Sequence, residues 1–386
     1  MRIAYVYDVV HPYVAGGVQK RIWELSRRLA HNGHQVTIFG MKHWEGAEII
    51  YNEDVRLWGI CPPTQLFVDG RRSIRQSIHF ARKVLPPLLK ERYDIIDCQN
   101  FPYFPCFSAA VHSIVRRSRL IITWHEVWDN YWFDYLGNKG VFGKMIERLV
   151  ARLPHEAIAV SDTTGRGLAK LGRRNAQIVP DGADIAAIAA ISPSSERSDI
   201  IFAGRLIKEK NVSLLIKAVS IIRKNADNIR CLIIGNGPER ESLEKLVRDF
   251  NLTDNVHFKG HLDRDAEVIS LIKASQIFVF PSIREGFGIA AVEANACGIP
   301  VITVRHPQNA VSDLITDGEN GFICEPREKD VAQSILRALG HENNWKPKCK
   351  EIASRYDWDQ IADLLEQVYQ KTVGIPETSS TPHIPT

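Results

Sequence analysis

Two α/β units in tandem, each built on a doubly wound parallel sheet, are predicted by this sequence on three observations. Short apolar runs alternate with helical patterns from end to end, the mark of βα units. Around 190–199 a Ser-rich polar stretch, ISPSSERSDI in its core, interrupts the alternation and reads as a linker. The pattern then restarts, and 386 residues are enough for two domains of ordinary size.

In the first half, strands are expected at 2–7, 35–39, 94–98, 119–123, 156–160 and 176–179. Helical patterns fall near 17–31, 71–90, 105–116, 140–152 and 162–171, the second broken near Pro86-Pro87, where ring nitrogens cannot donate. After the linker come strands at 199–203, 230–234, 255–259, 276–280 and 299–303. They alternate with helices at 211–224, 238–249, 264–273 and 288–297. The closing WDQIADLLEQVYQ (358–370) is an amphipathic helix, and 373–386 has too little apolar content to fold. The expected domains are therefore 1–190 and 199–350, with a further helix at 355–372. Two open sheets in one chain imply a central cleft. Ligands of such sheets bind beyond the carboxyl ends of strands, so informative residues should sit there.

Composition, 45% apolar and 24% charged, excludes a mostly disordered chain. A net charge of +4 is too small to imply nucleic acid, and none is expected as a partner. Its distribution is more telling. Residues 71–92 carry Arg71, Arg72, Arg75, Arg82, Lys83, Lys90 and Arg92 against Glu91 alone, with Ile74, Ile78, Val84 and Leu85 interleaved. Such a basic amphipathic helix suits an anionic membrane surface, at about 1 kcal/mol per well-placed cation, or a solvated face on a mildly basic protein. Seven cysteines without a paired framework indicate reduced thiols. The chain opens directly into a strand pattern, and no apolar run reaches membrane-span length. A cytoplasmic protein is expected, peripheral at most on the inner face of a membrane.

The richest segment is REGFGIAAVEANACGIPVI, starting at Arg284. Glu285 and Glu293 are separated by seven residues, and Gly286 and Gly288 bracket Phe287 before a helix start. Carboxylate oxygens accept hydrogen bonds from polyol hydroxyls, and glycines let backbone N–H groups approach a ligand. The competing reading is a surface loop entering a helix. Gly16-Gly17 follow the first strand and precede a helix, so free N–H groups and the positive helix end can face an anion; otherwise they form a flexible turn. His125 follows the strand at 119–123 and could meet a hydroxyl or carbonyl, although a lone histidine is more often structural. Gly204, Arg205 and Lys210 end the first strand of the second half, a natural diphosphate clamp. Gly235 and Gly237 open the next helix in GNGP, without the third glycine of a dinucleotide fingerprint, yet a phosphate or base of the donor could approach them closely. Asp263 and Asp265 superficially suggest metal binding, but Asp263 reads as a helix cap and no metal is expected.

Taken together, the chain resembles the retaining glycosyltransferases of family 4, which have the GT-B architecture. The resemblance spans nearly the whole length and is strongest from 199 to 325. It is carried by AGGVQKR, VSDTTGRGLAKLG, IVPDGADI, FAGRLIKEKNVSLLIKAV, LIIGNGPERESLEKLV, VFPSIREGFGIAAVEANACGIPVI and DGENGFIC. It implies two Rossmann-like domains facing a cleft, with the last helix crossing back to the first. It implies that Arg205 and Lys210 hold the donor diphosphate, that Glu285 meets the donor sugar and that Glu293 binds the ribose. The N–H groups of Phe287 and Gly288 would lie near sugar or phosphates. Gly16 and Gly17 would close over the diphosphate, and His125 would touch the transferred sugar. Two departures stand out: Asp181 in Pro180-Asp181-Gly182, where the family often has Asn, and Asn211, where it often has Gly.

The expected activity is metal-independent, cofactor-free transfer of a hexose from a UDP- or GDP-linked sugar to a hydroxyl, with retention. The acceptor is a glycan, a lipid-linked glycan or a lipid headgroup. No carboxylate stands out as a covalent nucleophile, and departure of the diphosphate is expected to be assisted by Arg205, Lys210 and helix N-termini. The resemblance implies front-face attack by the acceptor hydroxyl. The alternatives are a nucleotide-sugar epimerase of the same architecture and a non-catalytic nucleotide-sugar-binding subunit.

Overall fold

The computed structural model describes every residue except Ala15, Asp69, Gly70, Asn225, 341–343 and 376–386. Most of the expected unfolded tail lies outside the described residues. The chain forms two compact units: Met1–Asp181 with the segment from Trp358 onward, and Gly182–Asp357.

The first unit contains β1 (Arg2–Val6), β2 (Gln35–Gly40), β3 (Ile49–Asn52), β4 (Val55–Gly59), β5 (Phe67–Val68), β6 (Arg71–Arg72), β7 (Ile95–Gln99), β8 (Arg119–Trp124), β9 (Glu156–Ala159) and β10 (Gln177–Ile178). Eight of these form one sheet in the order β10-β9-β8-β7-β1-β2-β4-β3. Only β3, on β4, runs antiparallel in it. Alternation along β1 explains the layering. Ile3 and Tyr5 face a core shared with α1 (Gly17–His31) and the C-terminal helix Trp358–Val373. Ala4 and Val6 face the opposite core, with Phe80, Val84 and Leu88 of α2 (Ile74–Lys90) and Cys106 and Ala109 of α3 (Phe104–Arg116). The last helix thus completes the first unit, with Trp358, Ile361, Leu365 and Tyr369 buried. Along the outer side Arg28 pairs with Asp359, and Asn32 donates to Glu366 at 2.8 Å. Helices α4 (Tyr131–Leu136), α5 (Gly140–Arg152) and α6 (Asp162–Lys170) follow β8 and β9.

Two expectations fail here. Helix α2 does not break at Pro86-Pro87 but continues to Lys90. The carbonyls those rings cannot satisfy belong to Arg82 and Lys83, both exposed, while Val84 and Leu88 remain fully buried. Nor do its apolar residues share a face: Ile74 and Ile78 are exposed among the cations.

The second unit has β11 (Ser198–Ala203), β12 (Cys231–Ile234), β13 (Val256–Gly260), β14 (Ser275–Phe280), β15 (Arg284–Glu285), β16 (Val301–Val304), β17 (Gln308–Asn309) and β18 (Gly321–Cys324). Six form a parallel sheet ordered β13-β12-β11-β14-β16-β18, and β15 pairs separately with β17. Its helices are α7 (Ile185–Ala190), α8 (Val212–Ile222), α9 (Arg240–Asp249), α10 (Asp265–Lys273), α11 (Ile289–Ala296), α12 (Glu328–Leu339) and α13 (Trp345–Ser354). The Ser-rich stretch is not a free linker, because the second unit already starts at Gly182. Lys273 donates to the carbonyls of Ala189 and Ile191, and Ser270 donates to that of Ser192. Backbone carbonyls of the stretch are thus satisfied by side chains of α10.

All seven cysteines are buried free thiols. Among the described residues no helix is long and apolar enough to cross a membrane.

Candidate active site

In the second unit, the segment after β11 brings Lys210 to Glu285, and the two form an ion pair. Their side chains are 16% and 18% exposed, so the pair is shielded but reachable. The Lys210 ammonium also sits 4.6 Å from the Phe280 ring centroid, which adds cation–π attraction and fixes its direction. Glu285 is held by backbone pairing, with β15 beside Gln308–Asn309. The two residues assigned to sugar and diphosphate are therefore direct neighbours. Arg205, in the same loop, is exposed.

Position 211 explains its departure from the family pattern. Asn211 has φ 51° and ψ 39°, the left-handed region that Gly occupies freely and Asn tolerates best among other residues. Gly235 and Gly237 are required by packing. A Cβ on Gly235 would lie 1.9 Å from the Gly204 carbonyl oxygen, and one on Gly237 2.2 Å from that of Leu206. The GNGP turn and the Gly204–Lys210 loop are thus in backbone contact, and Leu206 N–H donates to the Asn236 carbonyl at 2.9 Å. Close approach is to protein in both cases.

Gly288 is the N-cap of α11 with φ 104°, and a Cβ there would strike Val311 at 2.5 Å. Phe287 is buried and meets Tyr356 edge-on at 5.6 Å. That anchors the Gly286–Gly288 turn and directs N–H groups from the start of α11. Glu293 lies on α11, half-buried. Asp263 does not cap α10: Arg264 is the N-cap, while Asp265 and Glu267 occupy the first turn, where carboxylates favour the helix dipole. Among the described residues no three His, Cys, Asp or Glu side chains converge as a metal site.

In the first unit, Gly16 caps α1 just beyond β1, and no acidic residue occupies the first turn of that helix. His125 follows β8 and ends a buried polar chain. Its ring Nε2 is 2.8 Å from Gln99 Oε1, and Gln99 Nε2 donates to Asp97 Oδ1 at 2.9 Å. Asp97 also accepts from Thr123 at 2.8 Å and from Tyr369 of the C-terminal helix at 2.7 Å. The Gln99 amide is oriented by Asp97, so His125 must carry its proton on Nε2, leaving Nδ1 as an acceptor. Burial, reinforced by nearby Arg21, pushes the His125 pKa down to about 3, and the ring is neutral at pH 7. Asp97 is itself pushed up by burial, against the hydrogen bonds from Tyr369 and Thr123.

Arg21 and Asp181 were not foreseen as partners. Arg21, 2% exposed on the inner face of α1, donates to Asp181 at 2.8 Å and to the Val179 carbonyl at 3.0 Å. Asp181 therefore supplies a countercharge for a buried guanidinium. The available signals were a cation among the apolar positions of α1 and an unexpected acid where the family has an amide.

Comparison with known proteins identifies the family and the fold. The family description "Glycosyltransferase Family 4" matches residues 15–187, and "Glycosyl transferases group 1" matches 185–356. The chain belongs to glycosyltransferase family 4. It is a glycosyltransferase with the GT-B fold, and the epimerase alternative falls. One relative is a subunit of the phosphatidylinositol N-acetylglucosaminyltransferase of Arabidopsis thaliana, 24% identical over 97% of this chain and 82% of that protein. Among solved structures, sucrose-phosphate synthase from Thermosynechococcus elongatus superposes with a TM-score of 0.78 at 20% identity, covering 97% of this transferase and all (100%) of that chain. Anabaena HepE in complex with UDP-glucose gives 0.75 at 18% identity, covering 96% of this chain and 100% of that one.

Proposed function

We propose that this transferase moves a sugar from a UDP-sugar to a hydroxyl of a lipid or lipid-linked glycan, with retention of anomeric configuration and without a metal. The observation that carries the reading is the Lys210–Glu285 pair beside the start of α11. The ammonium and Arg205 neutralise the departing diphosphate, and the N–H groups at Phe287 and Gly288 add partial positive charge. Glu285 orients the transferred sugar and favours its oxocarbenium-like state. Glu293 takes the ribose hydroxyls, while Gly235 and Gly237 hold the GNGP turn against the Gly204–Lys210 loop. Within the first unit, Gly16 and Gly17 at the start of α1 suit an anion, and neutral His125 offers Nδ1 to a sugar hydroxyl. The acceptor oxygen attacks from the face the diphosphate leaves, and a phosphate oxygen takes its proton.

UDP is preferred over GDP because HepE, similar over 96% of this chain, binds UDP-glucose. A lipid acceptor is favoured by the likeness to the phosphatidylinositol-specific relative and by the basic segment 71–92. The site of action that follows is the cytoplasmic face of a membrane, held peripherally. A thermal-shift panel of UDP- and GDP-sugars tests the donor. One UDP-sugar should stabilise the protein by about 2.7 kcal/mol at a hundredfold excess over its dissociation constant. Stabilisation by GDP-sugars alone would overturn the base assignment.

A further inference from the structure

At the carboxyl edge of the first unit's sheet lies a cavity of about 350 Å³ that none of these roles uses. Its wall is aromatic and aliphatic: Phe101 and Tyr103 from the end of β7, Trp132 and Tyr135 from α4, Phe142 and Ile146 from α5. Trp128 stacks behind it, 4.9 Å from Phe101 and 4.6 Å from Trp132. Glu147, fully buried, fixes this wall by accepting from the Tyr103 hydroxyl and the Trp128 N–H, each at 2.8 Å. The size falls in the range of about 300–1,000 Å³ typical of small-molecule sites.

Three features say what fits. The mouth is apolar and open to water, since Ile74 and Phe142 line the cavity yet are 55% and 62% exposed. Cations ring it: Lys139 lines it, Arg71 lies 6.0 Å from the Tyr135 ring, and Arg72 is tied to Asp8 just beyond β1. Among the described residues, two buried polar atoms of lining residues, Ser77 Oγ and Trp132 Nε1, have no hydrogen-bond partner. An apolar interior, a cationic rim and two spare donors describe a single-chain amphiphile with an anionic, oxygen-bearing head. The cavity follows β7, and its lining residue Arg72 pairs with Asp8 after β1, so it shares its sheet edge with His125 after β8.

We propose that this cavity holds the acyl or prenyl chain of a phosphate-bearing lipid acceptor, with the phosphate at Arg71 and Lys139. The proposal rests on the lipid-acceptor reading above. Its test uses the full chain and 12-bromododecyl phosphate below its micelle concentration, because bromine quenches tryptophan on contact. Saturable quenching is expected, absent with inorganic phosphate, and weakened at least tenfold in Phe142→Glu and Lys139→Glu. Both residues are exposed, so both variants should unfold at the wild-type temperature. In parallel, transfer from the stabilising UDP-sugar to a total lipid extract is followed in the organic phase, and the same variants should lose product. Undiminished organic-phase product in both variants, or quenching unchanged by them, overturns the cavity assignment while the lipid-acceptor reading stands. Product confined to the aqueous phase with soluble glycans overturns that reading and this proposal with it.

Discussion

Lys210 spends one of its three ammonium protons on Glu285, and the other two are what a diphosphate can use. The pair is partly exposed, so its stability contribution is at most about 1 kcal/mol. Its value in the transition state is larger, since each preorganised charge there is worth about 10²–10³ in rate. Lys210→Ala and Glu285→Gln should each lower kcat at least a hundredfold and leave the thermal midpoint nearly unchanged. Near-normal turnover in either purified variant would remove the residue from the site. His125 allows a different measurement. Its folded pKa of about 3 lies below the ordinary 6.5, so its contribution is full above pH 6.5 and is lost as pH falls. Between pH 6.5 and 5 that loss is about 2 kcal/mol. Urea unfolding of wild type and His125→Gln at pH 7 and 5 should show a smaller pH difference in the variant by that amount; equal differences would refute the assignment. Glu285, Lys210 and His125 could be picked out because each follows a strand. Arg21–Asp181 and Tyr369–Asp97 could not, because their members stand 160 and 272 residues apart and only the folded sheet joins them.

Elements were legible where one physical cause dominated. Buried parallel strands and one-faced helices announce themselves by period, and most of those expected are present within a residue or two. Short β3 and β4 at the sheet edge were missed because β3 is half exposed and weakly patterned. The α2 break was misjudged because two prolines are tolerated where the carbonyls they leave belong to exposed residues. Backbone contacts set the next prediction. Asn211→Gly should be nearly neutral, whereas Asn211→Ala should cost about 1 kcal/mol for a left-handed residue. Gly235→Ala should cost more, about 2 kcal/mol or above, because the methyl group meets the Gly204 carbonyl oxygen. Denaturant midpoints rank the three, and a reversed order would discount the loop packing. Helix α2 has its own test. Arg75, Arg82, Lys83 and Lys90 are exposed, whereas Arg72 is neutralised by Asp8. Binding to phosphatidylcholine vesicles containing phosphatidylglycerol should fall steeply with salt, and Arg75→Glu with Lys83→Glu should weaken it at least tenfold. No binding at low salt would exclude a membrane role for this helix.

At the scale of the whole molecule, the two units are unequal in sequence. The second, Gly182–Asp357, is one continuous segment, whereas the first needs the chain from Trp358 to return to it. That helix buries Trp358, Ile361, Leu365 and Tyr369 against the face of the sheet that carries Ile3, Tyr5, Ile95 and Ile121. At about 1.5–3 kcal/mol for each large buried side chain, the four supply about 6–12 kcal/mol. That is comparable with the total stability of a domain, about 5–15 kcal/mol. Tyr369 also caps the polar chain that orients His125 through Asp97 and Gln99. Removing residues from 358 onward should therefore unfold the first unit and spare the second. Calorimetry of the 1–357 chain should lose one transition and keep the other, and the isolated 182–357 segment should reproduce the one that remains. Adding a peptide of residues 355–375 should restore the lost transition in proportion to its concentration. A truncated chain that melts like the full one would mean that the first sheet is complete without its returning helix.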